Sequence, residues 1–188
     1  MSKSILVGLS ISLLLVCAAR TDAQRHRDPC QLLSDTEVRL VQGHALAQKI
    51  ASEQPSASFR FTQCYYRTDD FTSSVSVAVG VPVTTDSTGS GPRQYWQAQF
   101  KKQEKVVPGR KKKEPPKPIE GLGDEAFWVG DPMSGALYVL KGEVFLRVSA
   151  GGARDQAEKI KRAKLLAAHA LKRLDIGRSN DRKSPNTR

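Results

Sequence analysis

Residues 75–83 read Val75-Ser76-Val77-Ala78-Val79-Gly80-Val81-Pro82-Val83. Valine takes every second position, and small or polar residues fill the gaps. Successive side chains of a strand point to opposite faces, so this alternation predicts a strand with one buried face. It is the strongest strand signal in the chain. The flanking segments must then either extend its sheet or cover it.

Toward the N-terminus, Phe59 to Arg67 reads as a second strand with Phe59, Phe61 and Tyr65 on one face, closed by the turn Thr68-Asp69-Asp70. His44 to Ala51 is ambiguous. Its alanines and Leu46 suit a helix, whereas the alternation of Leu46, Gln48 and Ile50 suits a strand, and a strand after Gly43 is slightly favoured. Before it, Ser34 and Glu37 have the spacing of a capping box, Val38 and Val41 share a helical face, and Gly43 suits the C′ position.

Toward the C-terminus, Thr84 to Gly91 reads as a flexible loop. Pro92 suits the first turn of a helix reaching about Gln103, with Trp96 and Phe100 on its buried side. Strands are expected at Ala126 to Val129, Ala136 to Lys141 and Val144 to Ser149, the last two joined by a tight turn at Gly142-Glu143. Arg154 to Leu174 carries an apolar stripe at helical spacing: Ala157, Ile160, Ala163, Ala167, Leu171 and Leu174. Gly177 is expected to end that helix, leaving 177–188 as a disordered basic tail. Strands joined by tight turns, with helices that need them for burial, predict an α+β domain over residues 28–176. It has an antiparallel β-sheet packed with about three helices, the last one long.

Residues 1–23 read as a signal peptide. Lys3 is followed by the 12-residue apolar run Ile5 to Val16 and then by small residues ending at Ala23. The run is too short for a permanent span, which takes about 20 residues. Cys17 sits where a lipid could attach, but Val16 before it is larger than lipoprotein signals generally take. If Cys17 leaves with the leader, Cys30 and Cys64 remain, and an exported pair is expected to form a disulfide. Two cysteines without a CxxC pair, with only His26, His44 and His169 for company, make a poor metal set.

The chain is basic, with a formal net charge of +11. The leader carries Lys3, Arg20 and Asp22, so about +10 stays with the remainder. Much of it lies in the stretch 101–118, which reads as a flexible loop because of Gly109 and its prolines. Its cations Lys101, Lys102, Lys105, Arg110, Lys111, Lys112, Lys113 and Lys117 are candidates for binding an anionic partner. Phospholipid headgroups, cell-wall polymers and acidic glycans all fit such a charge, and export argues against nucleic acid.

Catalytic signals are weak. No nucleophile elbow, paired-histidine motif or phosphate-binding glycine loop is present, and no cofactor is implied. Asp124-Glu125 is a candidate acid/base pair, but neighbours on a strand point to opposite faces. Asp69-Asp70 lacks the further oxygens that calcium needs. Gly151-Gly152 reads as a break before the last helix rather than an anion site. Trp96, Trp128, Tyr65, Tyr66 and Tyr138 fit core positions better than a stacking surface.

The order of motifs resembles a family of small exported bacterial proteins and lipoproteins grouped as a domain of unknown function. The resemblance runs over residues 28–175. It is carried by Cys30-x-Leu32-Leu33-Ser34-x-x-Glu37-Val38, then Cys64-Tyr65-Tyr66, Gly121-Leu122-Gly123-Asp124-Glu125-Ala126-Phe127-Trp128, and Lys141-Gly142. It implies a two-cysteine exported domain with an antiparallel sheet of the PsbP/Mog1 type, and it implies no catalytic residues.

Three functions are then open: a non-enzymatic binding module for anionic envelope components, a factor recognising another envelope protein, and a hydrolase-like enzyme at Asp124/Glu125. The compartment can be tested first. Intact mass of the exported product is expected to start at Gln24, and a retained leader or a diacylated Cys17 contradicts that reading.

Overall fold

The computed structural model describes residues 28–55, 59–82, 92–101, 114–131 and 134–182. Seven strands form one antiparallel sheet: β1 (Leu46–Pro55), β2 (Phe59–Thr68), β3 (Val75–Pro82), β4 (Lys117–Pro118), β5 (Glu125–Gly130), β6 (Gly135–Lys141) and β7 (Val144–Ala150). Three α-helices accompany it: α1 (Asp35–Gln42), α2 (Pro92–Trp96) and α3 (Gln156–Arg182). The class is α+β, as the patterning predicts.

The strand order is β1-β2-β3-β7-β6-β5-β4. Two meanders, β1-β2-β3 and β4-β5-β6-β7, therefore meet at a single junction. There Val77 lies opposite Val148 and Val79 opposite Leu146. Gly142, with φ +56°, is the first residue of the β6–β7 turn, a conformation that disfavours any side chain there.

The sheet is covered on both faces. Cys64, Tyr66, Val75, Val77, Val79, Leu137, Val139, Leu146 and Val148 form the main core with Val38 of α1 and Ile160, Ala163, Leu166, Ala167, Ala170 and Leu171 of α3. Three of these helical positions are alanines, which lets the α3 backbone lie close to the strands. On the opposite face, Trp96 of α2 packs with Leu140 and Phe145, ringed by Phe61, Tyr95, Phe100, Phe127 and Tyr138. The single buried face read from the valine alternation is thus corrected: Ala78 is also buried, at 8% exposure, because the sheet carries this second aromatic layer.

Residue-level patterning holds well at the N-terminal end. The capping box at Ser34 is formed, with the Ser34 hydroxyl accepting from the Glu37 amide, and Gly43 closes α1 at φ +77°. His44–Ala51, ambiguous in sequence, enters β1.

Three boundaries differ from expectation. α2 ends at Trp96 and gives way to a π-helical turn over Gln97–Lys101, although the Trp96 and Phe100 rings do meet at 4.4 Å. The expected loop 101–118 also contains a strand at its end, because Lys117 pairs with Trp128 and Pro118 with Phe127. Proline is tolerated on an edge strand, where its missing N–H interrupts no further ladder. Finally, α3 runs through Gly177 to Arg182, since one glycine costs only about 1 kcal/mol inside a helix and does not end it unaided.

Cys30 and Cys64 are bonded, with Cα atoms 5.0 Å apart. Beside the bond, the buried Tyr66 hydroxyl donates to the Pro29 carbonyl at 2.9 Å and accepts from the Leu33 amide at 3.2 Å. Burial pushes this phenol up to about 12, so it stays a donor at every physiological pH. The segment before α1 is pinned to β2 by both links. Closing a loop across a sequence separation of 34 stabilises by roughly 3–4 kcal/mol through unfolded-state entropy. The double replacement Cys30→Ser/Cys64→Ser is expected to lose that amount in urea unfolding, and an unchanged midpoint contradicts the assignment.

Candidate functional site: an apolar groove beside the last helix

From β4 the chain is held to β5 by the Ile119 amide, which donates to the Ala126 carbonyl at 2.9 Å. It then turns through Gly121 and Gly123 and rejoins the sheet where the Asp124 amide donates to the Leu140 carbonyl at 2.7 Å. This excursion faces the flank of α3 and leaves a groove of about 580 Å³ between them. Glu120, Gly121 and Leu122 form one wall. Ala157, Ile160, Lys161, Lys164, Leu165 and Ala168 form the other.

The lining is mostly apolar, with Lys161 and Lys164 on the α3 wall and Glu120 on the other. Leu165 is 47% exposed, although its neighbour Leu166 is fully buried. Lys161 lies 3.6 Å from Glu158 in an exposed pair of a kind that contributes little. Lys164 has no acidic partner among the described residues. An apolar floor under mobile ammonium groups suits an anionic amphiphile: the tail is removed from water while the head meets the lysines.

The sequence points to this groove only indirectly. A helical stripe has room for one of the two leucines at Leu165-Leu166, and the other is left over. Ala157, expected in the stripe, is exposed on the groove side instead.

Of the basic candidates, Lys117 is exposed in β4, and Lys101 closes the π-helical turn. Lys102, Lys105, Arg110, Lys111, Lys112 and Lys113 lie outside the described residues. In the sequence the stretch they occupy precedes β4, which is followed by Glu120–Leu122.

Asp124 and Glu125 are engaged with α2 and the hairpin. Asp124 Oδ2 accepts from Arg93 Nη2 at 2.8 Å and from the Gly142 amide at 2.9 Å. Glu125 Oε2 accepts from the Trp96 indole at 2.9 Å. The two carboxylates hold α2 against the second face. Asp70 caps the short 3₁₀ turn Phe71–Ser73, where bonds from Thr72 and Ser73 lower its pKa, and it faces His44 at 3.6 Å. No group of three or more His, Cys, Asp or Glu is placed to hold a metal among the described residues. The Gly151 amide is occupied, donating to the Ser74 carbonyl at 3.0 Å. Tyr66, Trp96 and Trp128 are core residues.

The Glu37 carboxylate, strongly perturbed, serves packing. Arg173 Nη2 of α3 donates to Glu37 Oε1 at 3.0 Å, Arg173 Nη1 lies 2.8 Å from Oε2, and His169 Nδ1 lies 2.8 Å from Oε1. Arg173 also donates to the Leu32 carbonyl at 3.0 Å. Burial by itself raises the Glu37 pKa, but the bonds from Arg173 and Ser34 outweigh it and hold the group at about 2. One side chain thus caps α1 and ties it to α3. At the other end of α1, buried Gln42 donates to the Ser73 carbonyl at 2.6 Å and accepts from Arg162 at 3.3 Å.

No protein-family model matches the chain, and no curated protein or solved structure matches it either.

Because Glu37 titrates lower in the fold than its ordinary 4.5, its contribution is complete above about pH 4.5 and fades as pH falls toward 2. That gap corresponds to on the order of 3 kcal/mol at neutral pH. Glu37→Gln is expected to lose stability of this order at pH 7 and much less near pH 2, measured by denaturant unfolding at both. An equal loss at the two pH values contradicts the ion-pair account.

Proposed function

We propose that this protein is an exported, non-enzymatic binding module for anionic amphiphiles of the cell envelope, such as acidic phospholipids. The observation that carries the reading is the groove beside α3, where an exposed apolar lining meets Lys161 and Lys164. The lysine-rich stretch 101–118 reinforces it, since it feeds into the groove wall through β4. Long-range attraction to an anionic surface comes from these cations. Retention comes from the apolar contact once the headgroup has been met.

Export is supported by the leader-like residues 1–23, which lie outside the described residues, and by the Cys30–Cys64 bond. Among the described residues no helix is long and apolar enough to cross a membrane. The acidic pair Asp124/Glu125 does not favour the hydrolytic reading, because both side chains are committed to fastening α2.

Co-sedimentation with vesicles tests the proposal. Binding is expected to phosphatidylglycerol vesicles at low ionic strength, not to phosphatidylcholine vesicles, and to collapse near 1 M salt, where the screening length is about 3 Å. Each lysine near an anionic surface contributes about 1 kcal/mol, so Lys161→Ala/Lys164→Ala is expected to weaken binding about thirtyfold. Leu165→Asp is expected to weaken it further, and deletion of 102–113 to reduce its salt dependence. Equal binding to neutral vesicles, or binding indifferent to all three variants, overturns the reading.

A further inference from the structure

The two edges of the sheet are unlike. β4 is a two-residue strand ending in Pro118, which blunts its edge. β1 is ten residues long, and among the described residues no strand lies beyond it. Every residue from Ala47 to Gln54 is exposed, including Ile50 at 42%. The one irregularity in its pairing lies between Leu46 and Gln48, which leaves Gln48–Gln54 as regular ladder. A long regular edge is a template for another strand.

We infer that two copies of this protein pair antiparallel through β1, around a two-fold axis at Ala51, to form one continuous sheet. The sequence of the edge selects this partner and this register. In a symmetric antiparallel pair, opposite residues have a constant number sum, and only an axis at Ala51 sets Lys49 opposite Glu53 of the partner subunit. The same axis places Gln48 opposite Gln54 of the partner subunit. Moving the axis by one residue either way leaves both charges without an opposite number across the strand pair.

The surroundings fit this register. Lys49 Nζ already lies 2.7 Å from Asp35, and Glu53 Oε1 lies 3.3 Å from Arg60 Nε. Pairing completes a row of alternating charge, Asp35–Lys49 followed by Glu53 of the partner subunit and Arg60 of the partner subunit, and the two-fold repeats it. On the other face Ile50 stands opposite Ser52 of the partner subunit. The two copies of Ile50 become diagonal neighbours, which covers apolar surface that the monomer leaves in water.

The test is the mass in solution of the purified, disulfide-bonded protein, by sedimentation equilibrium over a range of concentrations. A concentration-dependent dimer is expected. Lys49→Glu and Glu53→Lys each set like charges across the axis and are expected to raise the dimer dissociation constant on the order of tenfold or more. The double variant Lys49→Glu/Glu53→Lys exchanges the signs and is expected to recover the dimer. Both positions are exposed, so circular dichroism is expected to report an unchanged fold in all three. A protein monomeric throughout overturns the inference. So does a dimer that both single variants retain, or a double variant no tighter than the singles.

Discussion

The antiparallel pairing of β3 with β7 is the contact through which two meanders become one sheet. On one side lie β1 and β2, which carry the disulfide and Tyr66. On the other lie β4, β5 and β6, which carry the turn beside α3 and the anchors of α2. The residues facing each other at this seam, Val77 with Val148 and Val79 with Leu146, all belong to the main core, where α3 packs on β7 and β6. Central strands have no edge to fray, and these are β-branched or aliphatic residues suited to a pleated, buried surface. A seam this central makes burial of the helices and alignment of the strands a single event.

Around it the helices are fastened by polar contacts of three kinds. The segment before α1 is tied to β2 by the disulfide and by Tyr66. α1 is tied to α3 by Glu37 with Arg173 and His169, and α2 to the sheet by Asp124 and Glu125. Each uses a charged or hydroxyl group whose partners are supplied by two different elements. This explains why carboxylates that look like chemistry in the sequence serve packing: a half-buried carboxylate is costly unless paired, and here each is paired. The groove beside α3 differs from all of these. Its Leu165 and Lys161 are exposed to solvent, and on the proposed reading they meet a ligand.

Local features were legible where one short segment determines its own conformation. The valine alternation announced β3, Ser34 with Glu37 announced the helix start, Gly43 its end, and Gly142-Glu143 the hairpin. Cys30 and Cys64 were legible by arithmetic. What could not be read was anything fixed by distant partners. The second buried face arises because α2 brings Trp96 over Phe145 and Leu140 from a separate part of the chain. Lys117-Pro118 forms a strand only because β5 offers an edge, and α3 passes Gly177 because one unfavourable residue does not outweigh a long helix. The groove was hidden for the same reason: Leu165 stays exposed while its neighbour Leu166 is buried, a choice made by what packs on α3.

Native-state hydrogen exchange tests the seam most directly. If β3 and β7 hold the two meanders in one cooperative unit, the amides of Val77, Val79, Leu146 and Val148 exchange only through global unfolding. Their exchange free energies then equal the unfolding free energy from denaturant, and the buried amides of β2 and β6 open together with them. Two distinct plateaus, one for β1–β3 and another for β5–β7, mean that the meanders open separately, and that result contradicts the account.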